Sequence, residues 1–93
     1  MTKVELVPDL CNCIETVAKA RYQEIVQGLM SSGEIDDTAK ASMEVLRLFL
    51  VGADFRRLRA ESEAYLLQGK RVTFVIRAQH RKVEYEIHTS TPR

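Results

Sequence analysis

The side chains best suited to chemistry are two cysteines and two histidines: Cys11, Cys13, His80 and His88. Thiolate sulfur and imidazole nitrogen are ligands that zinc prefers, so this set could formally hold one metal ion. Residues two apart on a helix, however, point about 200° away from each other, so Cys11 and Cys13 cannot bind one ion together there. No recognised ligand spacing links them to the histidines. The sequence therefore predicts no metal and no cofactor site, and it indicates that both cysteines are buried, inert thiols.

Catalysis needs a nucleophile or a proton-transferring group with a partner within hydrogen-bonding distance. His80 is expected at the tip of a hairpin and His88 on the polar face of a strand, and neither has a cysteine, serine or aspartate in a known arrangement beside it. The chain also lacks a glycine-rich phosphate loop, a metalloprotease helix and a nucleophile elbow. We therefore name no catalytic residue, and an enzyme is the third and least favoured of the hypotheses that the sequence leaves open.

Basic residues are concentrated in the second part of the chain, although the formal net charge is only +1. Residues 1–55 contain five Lys or Arg and nine Asp or Glu, and residues 56–93 contain nine and four, so the two parts carry −4 and +5. A basic surface on the second part could follow the phosphates of a nucleic acid. The residues that would make this contact are Arg71, Arg77, Arg81 and Lys82.

Two features weaken the nucleic-acid hypothesis. Glu84 and Glu86 are expected on the same strand face as several of these cations, and their carboxylates would repel phosphate. Phe74 and Tyr85 are expected on the opposite, core-facing side, so no aromatic platform is available for stacking bases. Nucleic-acid binding is therefore the alternative hypothesis. The favoured interpretation of the charge pattern is that these residues lie on ordinary solvent-exposed faces of helices and strands.

The other elements must pack around the stretch from Asp36 to Gln68. Apolar residues recur at helical spacing on two sides of it, so the segment Leu46–Val51 is apolar nearly all round. A helix of this kind is buried on several sides or contacts another chain. The residues predicted at an interaction surface are Leu48, Val51, Phe55 and Leu58.

Gly52 interrupts this apolar pattern and leaves two interpretations. The favoured one is a continuous helix that tolerates a glycine at a cost of about 1 kcal/mol relative to alanine. The alternative is a break, with Asp54 capping a second helix. In either case Asp36 or Asp37 is expected to cap the start, and Gly69 is expected to end the helical region.

A helix is also predicted from Leu10 to Met30, with Asp9 as its cap. Ser31–Gly33 is a turn signal that ends it. Because only a short loop separates two long helices, we expect an antiparallel helical hairpin.

After Gly69 the apolar period changes from 3.6 residues to two, which predicts a β-hairpin. A turn centred on Gln79 and His80 brings the large apolar side chains of one face together. The cross-strand pairs of that register are Val72 with Ile87, Phe74 with Tyr85, and Ile76 with Val83. Because Gln-His contains neither Gly nor Asn, we expect a loop of about four residues or more instead of a tight turn.

The whole chain, residues 1–93, is therefore expected to be a single α+β domain, with an N-terminal antiparallel helical hairpin followed by a C-terminal β-hairpin. The alternation of Thr2–Val7 offers a short N-terminal strand that could join the sheet, and a second copy of the chain could supply such a strand instead. The start of the chain has no secretory signal, and two cysteines make no disulfide framework, so a cytoplasmic location is expected. The leading hypothesis is a small protein-interaction or regulatory module, acting as a homodimer or as a subunit of a larger assembly, with no membrane partner.

Overall fold

A computed structural model describes residues 2–33 and 36–91 of the chain. The elements of that part are β1 Lys3–Leu6, α1 Ile14–Ser32, α2 Asp37–Gly52, α3 Phe55–Leu66, β2 Arg71–Gln79 and β3 Lys82–Ser90. The strands form one antiparallel sheet in the order β1-β2-β3, with β2 in the centre. The predicted α+β class is confirmed, and so is the short N-terminal strand that joins the sheet.

The hydrophobic core lies between the sheet and the helices, which pack on one face of it. Val72, Phe74 and Ile76 alternate along β2 and are completely buried, as the period of two requires. The helices contribute Ile14, Ala18, Val45, Leu46, Phe49 and Leu58 to this core. The other sheet face carries mainly polar side chains, which is typical of an antiparallel sheet with one solvated face.

Helix α1 begins later than predicted, because the expected start at Leu10 is occupied by a turn. The carboxylate of Asp9 accepts hydrogen bonds from the backbone N–H groups of Cys11 and Asn12, at 2.8 and 2.7 Å. Asp9 therefore closes this turn and is not the helix cap. Cys13, in extended conformation, occupies the N-cap position.

The central stretch is two helices, so the favoured continuous helix is wrong and the alternative break is found. Ala53 has φ −79° and ψ 143°, an extended conformation that ends α2 directly after Gly52. Asp54 accepts a hydrogen bond from the backbone N–H of Arg57 at 3.3 Å and caps α3. The predicted helical hairpin is only partly confirmed, because α1 packs against α2 but the second arm is divided between α2 and α3.

Strands β2 and β3 form a hairpin with the predicted faces, but the register is shifted by two residues. Ile76 lies opposite Tyr85, not opposite Val83. The connection is a two-residue turn at His80 and Arg81, with φ 52° and 64°, so the predicted longer loop is wrong. Positive φ at both central residues is the mirror-image geometry whose twist matches the flanking strands. A shift by two leaves every side chain on its face, so the apolar pattern alone cannot distinguish the two registers.

Candidate functional site

The two cysteines are accessible, so the interpretation of both as buried thiols is wrong. Cys11 is exposed in the turn before α1, and Cys13 is partly exposed at its N-cap. Both are free thiols. Among residues 2–33 and 36–91, no group of three or more His, Cys, Asp or Glu side chains is placed to hold a metal ion.

The thiol of Cys13 has an environment that favours its ionised form. Its sulfur lies 3.3 Å from the hydroxyl oxygen of Thr16. This side-chain hydrogen bond, followed by backbone N–H groups of the first helical turn, lowers the pKa of the Cys13 thiol below its ordinary value. A helix N-terminus stabilises negative charge in the same way, because its free N–H groups point towards the group.

The four basic residues predicted to contact nucleic acid do not form one surface. Arg71 lies at one end of β2, whereas Arg81 and Lys82 lie at the hairpin tip at the other end. Arg77, on the solvated face of β2, donates a hydrogen bond to the carboxylate of Glu86 at 2.7 Å. One of the four cations is therefore already neutralised by its own chain.

Glu86 is the centre of a small charged cluster on the solvated face of the sheet. Besides Arg77, it contacts His88, whose Nε2 lies 3.1 Å from the carboxylate. The hydrogen bond with His88 and then the charge of Arg77 lower the pKa of the Glu86 carboxyl below its ordinary value. Both contacts therefore favour the ionised form of the carboxylate.

An apolar groove of about 410 Å³ lies between the α2–α3 junction and the tip of the hairpin. It brings together three of the four predicted interaction residues with one of the predicted nucleic-acid contacts: Leu48, Val51, Leu58 and Arg81. The fourth, Phe55, packs its ring edge-on against Phe49, with centroids 5.3 Å apart.

These groove residues differ in how much of their surface a partner could reach. Val51 is 79% exposed and Tyr85, which the sequence did not single out for an interface, is 40% exposed. Leu58 is 2% exposed and forms the floor of the groove from the core. The accessible apolar surface therefore runs from the end of α2 to β3.

The edge of β3 next to this groove is free within the part of the chain that the structure describes, because β3 pairs only with β2. In a two-residue hairpin, the residues that flank the turn exchange both backbone hydrogen bonds, and bonded and non-bonded pairs then alternate. Gln79 and Lys82 are that flanking pair. The backbone groups of Val83, Tyr85, Ile87 and Thr89 consequently point towards the free edge.

The sequence did not identify Tyr85 and the β3 edge as one surface with the α2 residues. The alternation of β3 marked it as a strand, but edge position depends on where β1 pairs. Since β1 pairs with β2 from Lys3 opposite Arg77 to Leu6 opposite Phe74, β3 is placed at the outside. The charges at Lys82, Glu84 and Glu86 were the available signal, because edge strands are commonly protected by charged side chains.

No helix in the described part of the chain is long and apolar enough to cross a membrane. Searches of curated proteins and of solved structures gave no match. A protein-family model matches residues 4–87, a range that runs from β1 almost to the end of β3 and includes the groove and most of the free edge. The chain therefore belongs to that family.

Proposed function

We propose that this protein is a small interaction module that associates with itself through the free edge of β3 and the adjoining groove. The observation that carries this proposal is the coincidence of two unsatisfied surfaces. A nine-residue strand with an open edge lies beside a groove whose rim residue Val51 is 79% exposed.

The open edge supplies backbone hydrogen-bonding capacity that a partner strand can use. Four residues of β3 direct an N–H and a carbonyl group outward: Val83, Tyr85, Ile87 and Thr89. An extended segment that pairs with them would lengthen the sheet, a common mode of protein recognition. An open edge of this length is a template for pairing with another chain, which supports the proposal that a partner covers it.

The groove supplies apolar contact area beside the same edge. Val51 and Tyr85 lie on opposite sides of it, from α2 and β3. Burying apolar area contributes about 25 cal/mol per Å², and a partner that pairs with β3 would cover this rim as well. Pairing with the edge sets the orientation of the partner, and contact with the groove increases the affinity for it.

We place this activity in the cytoplasm. The support is the pair of free thiols at Cys11 and Cys13, which are accessible and not joined to each other. A reducing compartment keeps such thiols in that state.

The proposal is tested by sedimentation velocity of the full chain over a wide concentration range. We expect a concentration-dependent dimer whose dissociation constant rises at least tenfold in Thr89→Pro. Proline at this position removes an outward N–H without breaking a bond to β2, because Thr89 and Val72 form a non-bonded pair.

The matched control is Glu5→Pro in β1, the strand at the other edge of the sheet. By the same alternation, the N–H of Glu5 points away from β2. The control therefore removes one outward N–H group from the edge that is not proposed to bind a partner. It should leave the dimer unchanged. A wild-type chain that stays monomeric, or equal weakening by both prolines, would contradict the proposal.

A further inference from the structure

We propose that the β3 edge binds the β3 strand of a second copy of this chain, antiparallel and in the register that sets Ile87 opposite Ile87 of the partner subunit. This inference rests on the proposed function and specifies its geometry. It predicts a continuous six-stranded sheet, built from the three strands of each copy, with the helices of both copies on the same face.

Symmetry limits the possible registers. A two-fold axis perpendicular to the sheet pairs β3 with itself, so each register has one residue that lies opposite its own copy. Opposite side chains share a face, and the outward backbone groups of Val83, Tyr85, Ile87 and Thr89 must meet each other. The registers to compare are therefore those centred on single residues from Glu84 to His88.

Charge decides between these registers. In a register centred on Glu84 or Glu86, that glutamate lies opposite the same glutamate of the partner subunit. In a register centred on Tyr85, Glu84 lies opposite Glu86 of the partner subunit, and symmetry repeats this contact. Like charges directly opposite each other destabilise a strand pair. A centre at His88 opposes two histidines and shortens the paired segment.

The register centred on Ile87 avoids all of these conflicts. It places Glu86 opposite His88 of the partner subunit, twice by symmetry, and Glu84 opposite Ser90 of the partner subunit. Within one chain, Glu86 and His88 already lie 3.1 Å apart, so the two copies would form an alternating cluster of carboxylates and imidazoles.

The core-facing side of the same register is also compatible. Ile87 meets its own copy, and Tyr85 meets Thr89 of the partner subunit. The end of the partner strand then runs beside Val83 and Tyr85, which line the groove. One pairing therefore covers both the free edge and the open side of the groove.

The register is read by a cysteine scan in a Cys11→Ser, Cys13→Ser background. Single variants carry cysteine at each candidate centre: Glu84→Cys, Tyr85→Cys, Glu86→Cys, Ile87→Cys and His88→Cys. Diamide oxidises two thiols to one disulfide and is itself reduced to the hydrazide, so a covalent dimer reports two opposed positions. Opposed residues have Cα atoms about 4.5–5.5 Å apart, within the range that a disulfide spans.

We expect Ile87→Cys to give the most covalent dimer, severalfold more than Met30→Cys. Met30 is 79% exposed on α1, away from the sheet, so its variant measures random collision. If another β3 variant gave the most covalent dimer, this register would be wrong, but docking at the β3 edge would stand. If the chain dimerises in sedimentation but no β3 variant gives more covalent dimer than Met30→Cys, both the register and docking at the β3 edge are wrong. A chain that stays monomeric at every concentration would also overturn both.

A charge test serves if Ile87→Cys does not fold. His88→Glu should weaken the dimer roughly tenfold, because the new carboxylate of each copy then lies opposite Glu86 of the partner subunit. The double variant Glu86→His, His88→Glu should restore it. Gln23→Glu on α1 adds the same charge away from the sheet and should have no effect. Equal dimer affinity in His88→Glu and Gln23→Glu would overturn the register.

Discussion

At the scale of single residues, hydrogen bonds at Cys13 favour the ionised form of its thiol. The side chain is partly exposed, and the Thr16 hydroxyl holds its thiol pKa below the ordinary value. A lowered pKa raises the thiolate fraction at a given pH, and the thiolate is the form that attacks electrophiles. The Cys13 thiol is therefore both accessible and in an environment that favours its ionised form.

We expect Thr16→Val to move the pH midpoint of Cys13 alkylation upward and to slow the reaction at neutral pH. Valine keeps the shape of the side chain but removes the hydroxyl that lies 3.3 Å from the sulfur. The measurement is the rate of iodoacetamide labelling against pH in a Cys11→Ser background. Thr38→Val, in the first turn of α2, is the control, and an unchanged midpoint in Thr16→Val would show that the hydroxyl does not activate the thiol.

Ion pairs along α3 are a second residue-scale feature. Arg57 contacts Glu61 at 3.1 Å and Arg59 contacts Glu63 at 3.0 Å, each four positions further along the helix. Exposed pairs of this kind contribute little to stability, because water and salt screen them. Their main consequence is that these arginines are partly neutralised by their own chain.

At the scale of elements, apolar periodicity was sufficient for the class of fold. The change from a period of 3.6 to two at Gly69 separated helices from strands, and the alternation of β1 and β2 placed the buried side chains correctly. The start of α1 could not be found this way, because Asp9 suits a helix cap and a turn equally well. The break after Gly52 was open for a similar reason, since glycine inside a helix is costly but tolerated.

Two errors in the hairpin have one cause. Strand faces repeat every two residues, so the observed register and the predicted one bury the same side chains. Only the turn could distinguish them, and His80 and Arg81 are not the residues that a mirror-image turn favours. Histidine is several-fold enriched at positive φ among non-glycine residues, but arginine has no such preference. Of the groove, the α2 and α3 residues could be predicted, whereas β3 could not be placed at the edge.

The turn therefore contains backbone strain that a substitution can relieve. Arg81 has φ 64°, which costs a non-glycine residue about 1 kcal/mol. We expect Arg81→Gly to raise the free energy of unfolding by about 0.5 kcal/mol, because part of the relief is offset by the greater freedom of glycine in the unfolded chain. Chemical denaturation measures this difference. Arg81→Ala is the control, since it removes the side chain and keeps the strain, and equal stability of the two variants would refute the argument.

At the scale of the whole molecule, the sheet divides the surface into different regions. One face is covered by helices, the other carries mainly polar groups, and the β3 edge with its groove is left open. The net charges of −4 and +5 in the two parts of the chain do not produce one basic surface. Cations of the second part are interleaved with Glu84 and Glu86, and Arg77 is paired.

This arrangement gives a prediction for the alternative hypothesis of nucleic-acid binding. In fluorescence titrations with single- and double-stranded DNA and RNA, we expect binding only at low salt, lost by about 0.15 M. The paired variant Arg81→Glu, Lys82→Glu should change this little, because the two tip residues have no continuous basic neighbours to form a phosphate track.

Binding that persists at moderate salt, and that is abolished by the tip variant, would make the hairpin a nucleic-acid surface. The single variant Lys82→Glu discriminates the two hypotheses in one preparation. Lys82 precedes the strand segment paired in the Ile87-centred register and, unlike Arg81, does not line the groove, so the dimer in sedimentation should survive its reversal. A variant that loses the nucleic acid and keeps the dimer would assign the two activities to different parts of β3, whereas a variant that loses neither leaves the open edge as the surface that associates.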